Sequence, residues 1–175
     1  MSTQDIAAAM ERVEAVLRRR PDHGLHDDAP ATARWQGGTR VVASHTNGAQ
    51  MPTDMPTELG GTGDQVSPGW LFRAGLASCL TTCIAMNAAA QGIDLATLEV
   101  VAGSRSDTRG LLGLPDTDGS PVSAASQDVQ MRVHLSAPGT APERLRELVA
   151  YSYQHSPVPC ALRAATPIAL QVDVV

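Results

Sequence analysis

The chain has 175 residues, is 43% hydrophobic and carries a formal charge of -5, with no dense Lys/Arg run. That is enough apolar material for one core, and the acidic balance excludes nucleic acid and an anionic membrane surface as partners. Three cysteines do not make a secreted disulfide framework, and the first 20 residues lack the continuous apolar stretch of a signal peptide, so a reducing, cytoplasmic location is expected.

Residues 3–20 read as a helix, with Ile6, Met10, Val13 and Leu17 on one face and Arg18, Arg19 and Arg20 where cations offset the helix dipole. The polar stretch 21–30 reads as a linker. Its His23 and His26 are loop histidines without a clear third metal ligand. Strands are predicted over 31–36 and 39–46, joined through Gly37-Gly38, and Asn47-Gly48 is a second turn signal. Residues 51–65, rich in Pro, Gly and Thr, read as an ordered loop.

Next comes a helix over 68–91, with Ser67 as cap, Pro68 in the first position and Gly92 as the stop. It is apolar on nearly every side, which suits a protein interior. A membrane span is the rival reading by length, but Arg73, Ser78, Thr81, Thr82 and Asn87 recur too often for lipid. One chain of this size cannot readily surround such a helix, so an obligate homodimer is expected.

Leu98, Val100 and Ala102 alternate in a strand, 107–126 is a Gly/Pro-rich loop, and Val129, Met131, Val133 and Leu135 alternate with Asp128, Gln130, Arg132 and His134 in a strand with one solvated face. A helix follows to about 154, opened by a capping-box pattern of Thr140 and Glu143 around Pro142. Ser156-Pro157 starts a short helix to about 164 that contains Cys160. A last strand carries Ile168, Leu170, Val172 and Val174 on one face. This order of elements defines an α+β fold.

Cys79 and Cys83, four residues apart, share one face of the long helix, whereas Cys160 lies in the first turn of the short one, a position that favours a thiolate. Free cysteines mostly serve as small buried hydrophobes. Two cysteines one turn apart make only half of a structural zinc site, and no Gly-x-Ser-x-Gly elbow of a hydrolase is present.

Three blocks change the balance. Leu59-Gly60-Gly61 precedes Ser67-Pro68-Gly69-Trp70-Leu71-Phe72 and Ala77-Ser78-Cys79; Asp107-Thr108-Arg109-Gly110-Leu111-Leu112-Gly113 follows a strand; Tyr153-Gln154-His155-Ser156-Pro157-Val158 comes near the end. With these the chain resembles the OsmC/Ohr (organic hydroperoxide resistance) family, in its OsmC-like subgroup, over roughly residues 31–175, leaving 1–30 as an N-terminal helix and linker. The resemblance implies antiparallel sheets wrapped around long central helices in an intertwined homodimer. It also implies thiol peroxidase activity, in which a cysteine thiolate attacks an organic hydroperoxide, becomes a sulfenic acid and condenses with a second thiol.

Cys79 matches the attacking cysteine, and the family's arginine corresponds to Arg40 or Arg34, with Arg40 preferred. Two departures stand out: Gly69 and Trp70 occupy the place of the family's glutamate, and Ser156 occupies that of its second cysteine, leaving Cys160 or Cys83 as the resolving thiol. No cofactor or metal is expected, only an external thiol or dithiol reductant such as a low-molecular-weight or lipoyl thiol. The alternative is a non-enzymatic dimer of the same shape that binds a small hydrophobic ligand between its subunits.

Overall fold

Gly37 and Gly38 take φ of 103° and 57°, a left-handed turn that other residues rarely adopt, and they fold the chain back on itself. Strands β1 (Thr32–Trp35) and β2 (Val41–Ser44) therefore pair antiparallel, with Trp35 opposite Val41. The computed structural model describes residues 2–174 and is α+β, as the sequence predicts. A third strand, β3 (Gln50–Thr53), runs through what reads in sequence as loop, and pairs Pro52 with Val42. Proline is tolerated because β3 is the edge of the sheet, where a missing N–H removes no ladder bond on the outer side.

α1 (Thr3–Arg19) buries none of its residues. α2 (Pro68–Ala90) starts as expected, with the Ser67 hydroxyl accepting the Trp70 N–H at 3.2 Å. It stops at Gly92, whose φ of 65° lets Ile93 N–H return to the Ala88 carbonyl at 2.9 Å. Only one stripe of α2 is buried, Leu76, Leu80, Ile84 and Ala88 at fourfold spacing with Ala89 beside it, and Trp70 and Met86 remain exposed. By length and composition α2 is long and apolar enough to cross a membrane. Its buried stripe instead packs as a core helix does, against Leu148, Met131, Val133 and Leu135.

The second sheet is the antiparallel pair β4 (Thr97–Arg105) and β5 (Gln127–Ser136). Leu98 faces Leu135, Val100 faces Val133 and Ala102 faces Met131, so the inward residues of both strands coincide and His134 lies on the exposed side. Between them α3 (Thr108–Leu111) interrupts the predicted loop, capped by the Asp107 side chain. α4 (Pro142–Gln154) and α5 (Pro157–Arg163) close the order.

The chain forms two compact units, one of residues 9–74 and one of the remainder. The expected last strand is not formed: among the described residues beyond α5, up to 174, there is no regular structure, and Ile168, Leu170, Val172 and Val174 are between 72% and 93% exposed. Their alternation specifies which sides share a face, but a strand also needs an open partner edge, and among the described residues none pairs with this one.

Two glycines of the sequence blocks have steric reasons to be there. A Cβ on Gly61 would lie 1.7 Å from the Met55 carbonyl oxygen, and one on Gly110 would lie 2.3 Å from that of Ser123. Each lets two backbone segments touch.

Candidate active site

Cys79 lies one turn into the part of α2 that belongs to the second unit. Its sulfur accepts two hydrogen bonds, from the Ser156 hydroxyl at 3.2 Å and from the Val158 N–H at 3.5 Å. Local sequence explains both. Pro157 and Pro159 have no N–H, and Cys160 N–H already donates to the Ser156 carbonyl at 2.9 Å. Val158 therefore carries the one amide that the start of α5 leaves unengaged. Ser156 is the N-cap residue, whose hydroxyl would ordinarily accept that amide, yet it makes no capping bond. Its hydroxyl lies between two sulfurs, donating to Cys79 at 3.2 Å with Cys83 also in hydrogen-bond reach, and the Cys79 sulfur takes the place of the cap oxygen for Val158. Ser156 is fully buried at 0% exposure.

All three cysteines are free of disulfides. Cys83 lies near both Cys79 and Ser156; burial pushes its thiol up, an effect partly offset by hydrogen bonding to Ser156. The Cys83 thiol donates to the His155 carbonyl at 3.9 Å. The Cys160 thiol donates to the Gln154 carbonyl at 3.0 Å. The first-turn position that points to Cys160 as the acidic thiol in sequence thus serves Cys79 instead, because the one free amide of that turn is Val158. Among the described residues no three His, Cys, Asp or Glu side chains are grouped to hold a metal ion.

Arg40 belongs to the other unit. Its Nη2 donates to Asp64 at 2.6 Å and to the Thr62 hydroxyl at 2.8 Å, and lies 3.6 Å from Asp54. Asp54 is only 2% exposed. The Thr39 hydroxyl, then the Thr62 amide and hydroxyl, hold its carboxyl far below the usual carboxylate range despite burial. The Thr62 hydroxyl and Arg40 hold Asp64 at about 2. Arg40 thus has two aspartates as partners. Arg34, on β1, is exposed and makes no ion pair among the described residues.

A cavity of about 750 Å³ lies in the second unit, lined by Leu76, Leu80, Met131, Leu145, Pro159 and neighbouring apolar side chains. At its wall the Arg163 guanidinium sits 5.2 Å from the centre of the Tyr153 ring.

Sequence reasoning missed Ser156 as part of the site and missed the two aspartates of Arg40. Pro157 and Pro159 flanking Val158 were the available sign of the first. The second joins residues up to 24 positions apart and has no local pattern.

An α+β chain with a helix-borne cysteine gripped by a Ser-Pro-Val turn defines the class, and residues 61–171 match the family model for OsmC-like proteins. The chain belongs to that family. No curated protein matches it in sequence. Among solved structures it is similar to an OsmC-like protein from Mycoplasma pneumoniae, with a TM-score of 0.66 and 17% identity over 81% of this chain and 92% of that one. An organic hydroperoxide resistance protein OsmC from Legionella pneumophila has a TM-score of 0.56 and 25% identity, over 79% and 91%. One from Elizabethkingia anophelis, with thiocyanate bound, has 0.56 and 22%, over 79% and 90%.

Proposed function

We propose that the chain is a cysteine-based peroxidase that reduces organic hydroperoxides in the cytoplasm, with Cys79 as the nucleophile. The observation that carries this reading is the Cys79 sulfur itself, which is the acceptor of two donors rather than a packed methyl-sized group. Family membership and the names of the Legionella and Elizabethkingia proteins support the substrate class. We assign Arg40 rather than Arg34 to the reaction, because its guanidinium is already fixed by carboxylates. An external thiol returns Cys79 to its starting state. The working form is a homodimer, a reading supported by the uncovered sides of α2 and by the four exposed apolar residues of the C-terminal segment.

The test is consumption of cumene hydroperoxide with dithiothreitol as reductant. The wild type turns over and Cys79→Ser falls to background. Equal rates for the two proteins would reject the assignment. The cavity favours a second reading, a binding protein for small hydrophobic molecules, since its volume lies in the range of ligand sites. That reading requires saturable binding of such a probe by a wild type that leaves hydroperoxide untouched.

A further inference from the structure

We infer that Ser156 is a catalytic residue: its buried hydroxyl holds the Cys79 sulfur both before and after oxidation, so that the chain runs on one cysteine and takes its second thiol from solution as a small monothiol. The inference rests on the peroxidase reading for its chemistry, but the contact between Ser156 and Cys79 stands independently of it.

Three observations support it. Ser156 stands at the N-cap of α5, where a serine hydroxyl usually caps the helix, and makes no capping bond, which forgoes about 1 kcal/mol of helix stabilisation. Its hydrogen goes instead to Cys79 at 3.2 Å, while Val158, the amide it would have capped, donates to the same sulfur. Neither other thiol is arranged to replace a resolving cysteine. Cys160 is engaged with the Gln154 carbonyl. Cys83 hydrogen-bonds beside Cys79, but the two are one helical turn apart on the same helix, where Cβ atoms are about 5–6 Å apart and a disulfide requires about 3.5–4.5 Å.

The reaction balances with one protein sulfur. The Cys79 thiolate attacks the terminal oxygen of R–O–O–H. The O–O bond breaks, an S–O bond forms, sulfur loses two electrons, and the released alkoxide takes a proton from water to leave as an alcohol. The resulting Cys79 sulfenic acid keeps Ser156 and Val158 as its donors. An external monothiol attacks the sulfur, forming an S–S bond and releasing water. A second monothiol then attacks that mixed disulfide, freeing Cys79 and leaving as the external disulfide. Two thiols are oxidised for each peroxide reduced.

Wild type, Ser156→Ala, Ser156→Cys and Cys160→Ser should be compared in two measurements. The first uses no peroxide: alkylation of Cys79 by iodoacetamide at neutral pH, read by peptide mass spectrometry. Ser156→Ala should change this rate by about tenfold or more, the effect of one hydrogen bond to a charged group, while Cys160→Ser stays within about twofold of wild type. Unchanged alkylation in Ser156→Ala would overturn the inference whatever the protein does with peroxide.

The second measurement adds one equivalent of cumene hydroperoxide, then 2-mercaptoethanol. Wild type should give a mixed disulfide at Cys79, and Ser156→Cys should divert oxidation into an internal crosslink to the introduced thiol, which also reports that position 156 still reaches Cys79 in a folded protein. A crosslink of Cys79 to Cys160 or to Cys83 in wild type, formed as fast as peroxide is consumed, would overturn it. If wild-type Cys79 is not oxidised while its alkylation depends on Ser156, the peroxidase reading fails and the hold of Ser156 on the sulfur stands.

Discussion

The two compact units are each stabilised by different means. In residues 9–74 the buried side chains are polar, Thr53 and Asp54, and the turns after β3 are tied by Thr39, Thr62, Asp64 and Arg40. In the other unit the buried cluster is aliphatic, built on Leu80, Ile84, Ile93 and Leu148. In the polar unit a single Thr62 hydroxyl accepts from Arg40 and has one hydrogen for two aspartates, so all partners are fixed together. The aliphatic unit depends on filled volume. One residue of each unit shows the same difference. Arg40 is a cation whose charge is compensated by carboxylates, whereas Cys79 is a sulfur met by neutral donors.

Ile84→Ala should show the largest effect, because Ile84 is fully buried at the centre of the aliphatic cluster. A loss of about 3 kcal/mol is expected from urea unfolding followed by circular dichroism, the typical cost of such a truncation including the cavity it leaves. A loss below about 1 kcal/mol would mean that the cluster collapses around the gap and is not packed as described. Asp54→Asn should cost less. Asparagine keeps the shape and one acceptor, but its amide nitrogen cannot accept from Thr39 or Thr62, and the charge near Arg40 is gone. The loss of protection should be confined to amides of β1, β2 and β3 in hydrogen exchange. Equal loss in β4 and β5 would contradict the division.

Acid should separate the units without mutation. The carboxyls of Asp54 and Asp64 are both depressed in the folded chain, Asp64 to about 2 by Thr62 and Arg40. A depressed carboxyl contributes stability that is complete above its unfolded pKa of about 4 and is lost as pH falls through the folded value. Residues 9–74 should therefore loosen between about pH 4 and pH 2. The aliphatic cluster itself contains no titratable group, and the depressed carboxyls of that unit, Asp107, Asp116 and Asp118, lie in the connection between β4 and β5, so the amides to follow there are those of the strands. Hydrogen exchange at successive pH values checks this, and simultaneous loss in both sheets would remove the distinction.

What could be read from sequence follows the same division. Helices with proline starts and glycine stops, and strands whose inward faces alternate, are local patterns, and α2, β4 and β5 were legible to within a few residues. The motif around Cys79 was legible too. β3 was hidden by Pro52, whose permissibility depends on being an edge strand, a fact of sheet order rather than of sequence. The C-terminal segment erred in the opposite direction, since Ile168 to Val174 have a strand pattern without a strand partner. The aspartates around Arg40 are brought together by turns, and no spacing announces them.

The smallest expected effect concerns a pattern that is present in sequence and unused in the structure. Thr140 and Glu143 have capping-box spacing, yet the N-cap of α4 is Ala141 and no side chain caps the helix. The proline is the reason. Pro142 takes the first helical position and forces the residue before it into an extended conformation, observed for Ala141 at φ -63° and ψ 142°, so the helix boundary falls one residue after Thr140. Glu143, the other half of the box, accepts instead from Arg146 at 3.1 Å, an exposed pair of small energetic worth. Thr140→Ala should therefore change stability by less than about 0.5 kcal/mol, where a working threonine cap would cost about 1 kcal/mol or more. Urea unfolding of the variant beside wild type is sufficient. A loss of about 1 kcal/mol or more would place the boundary of α4 at Thr140 and restore the box that the sequence suggests.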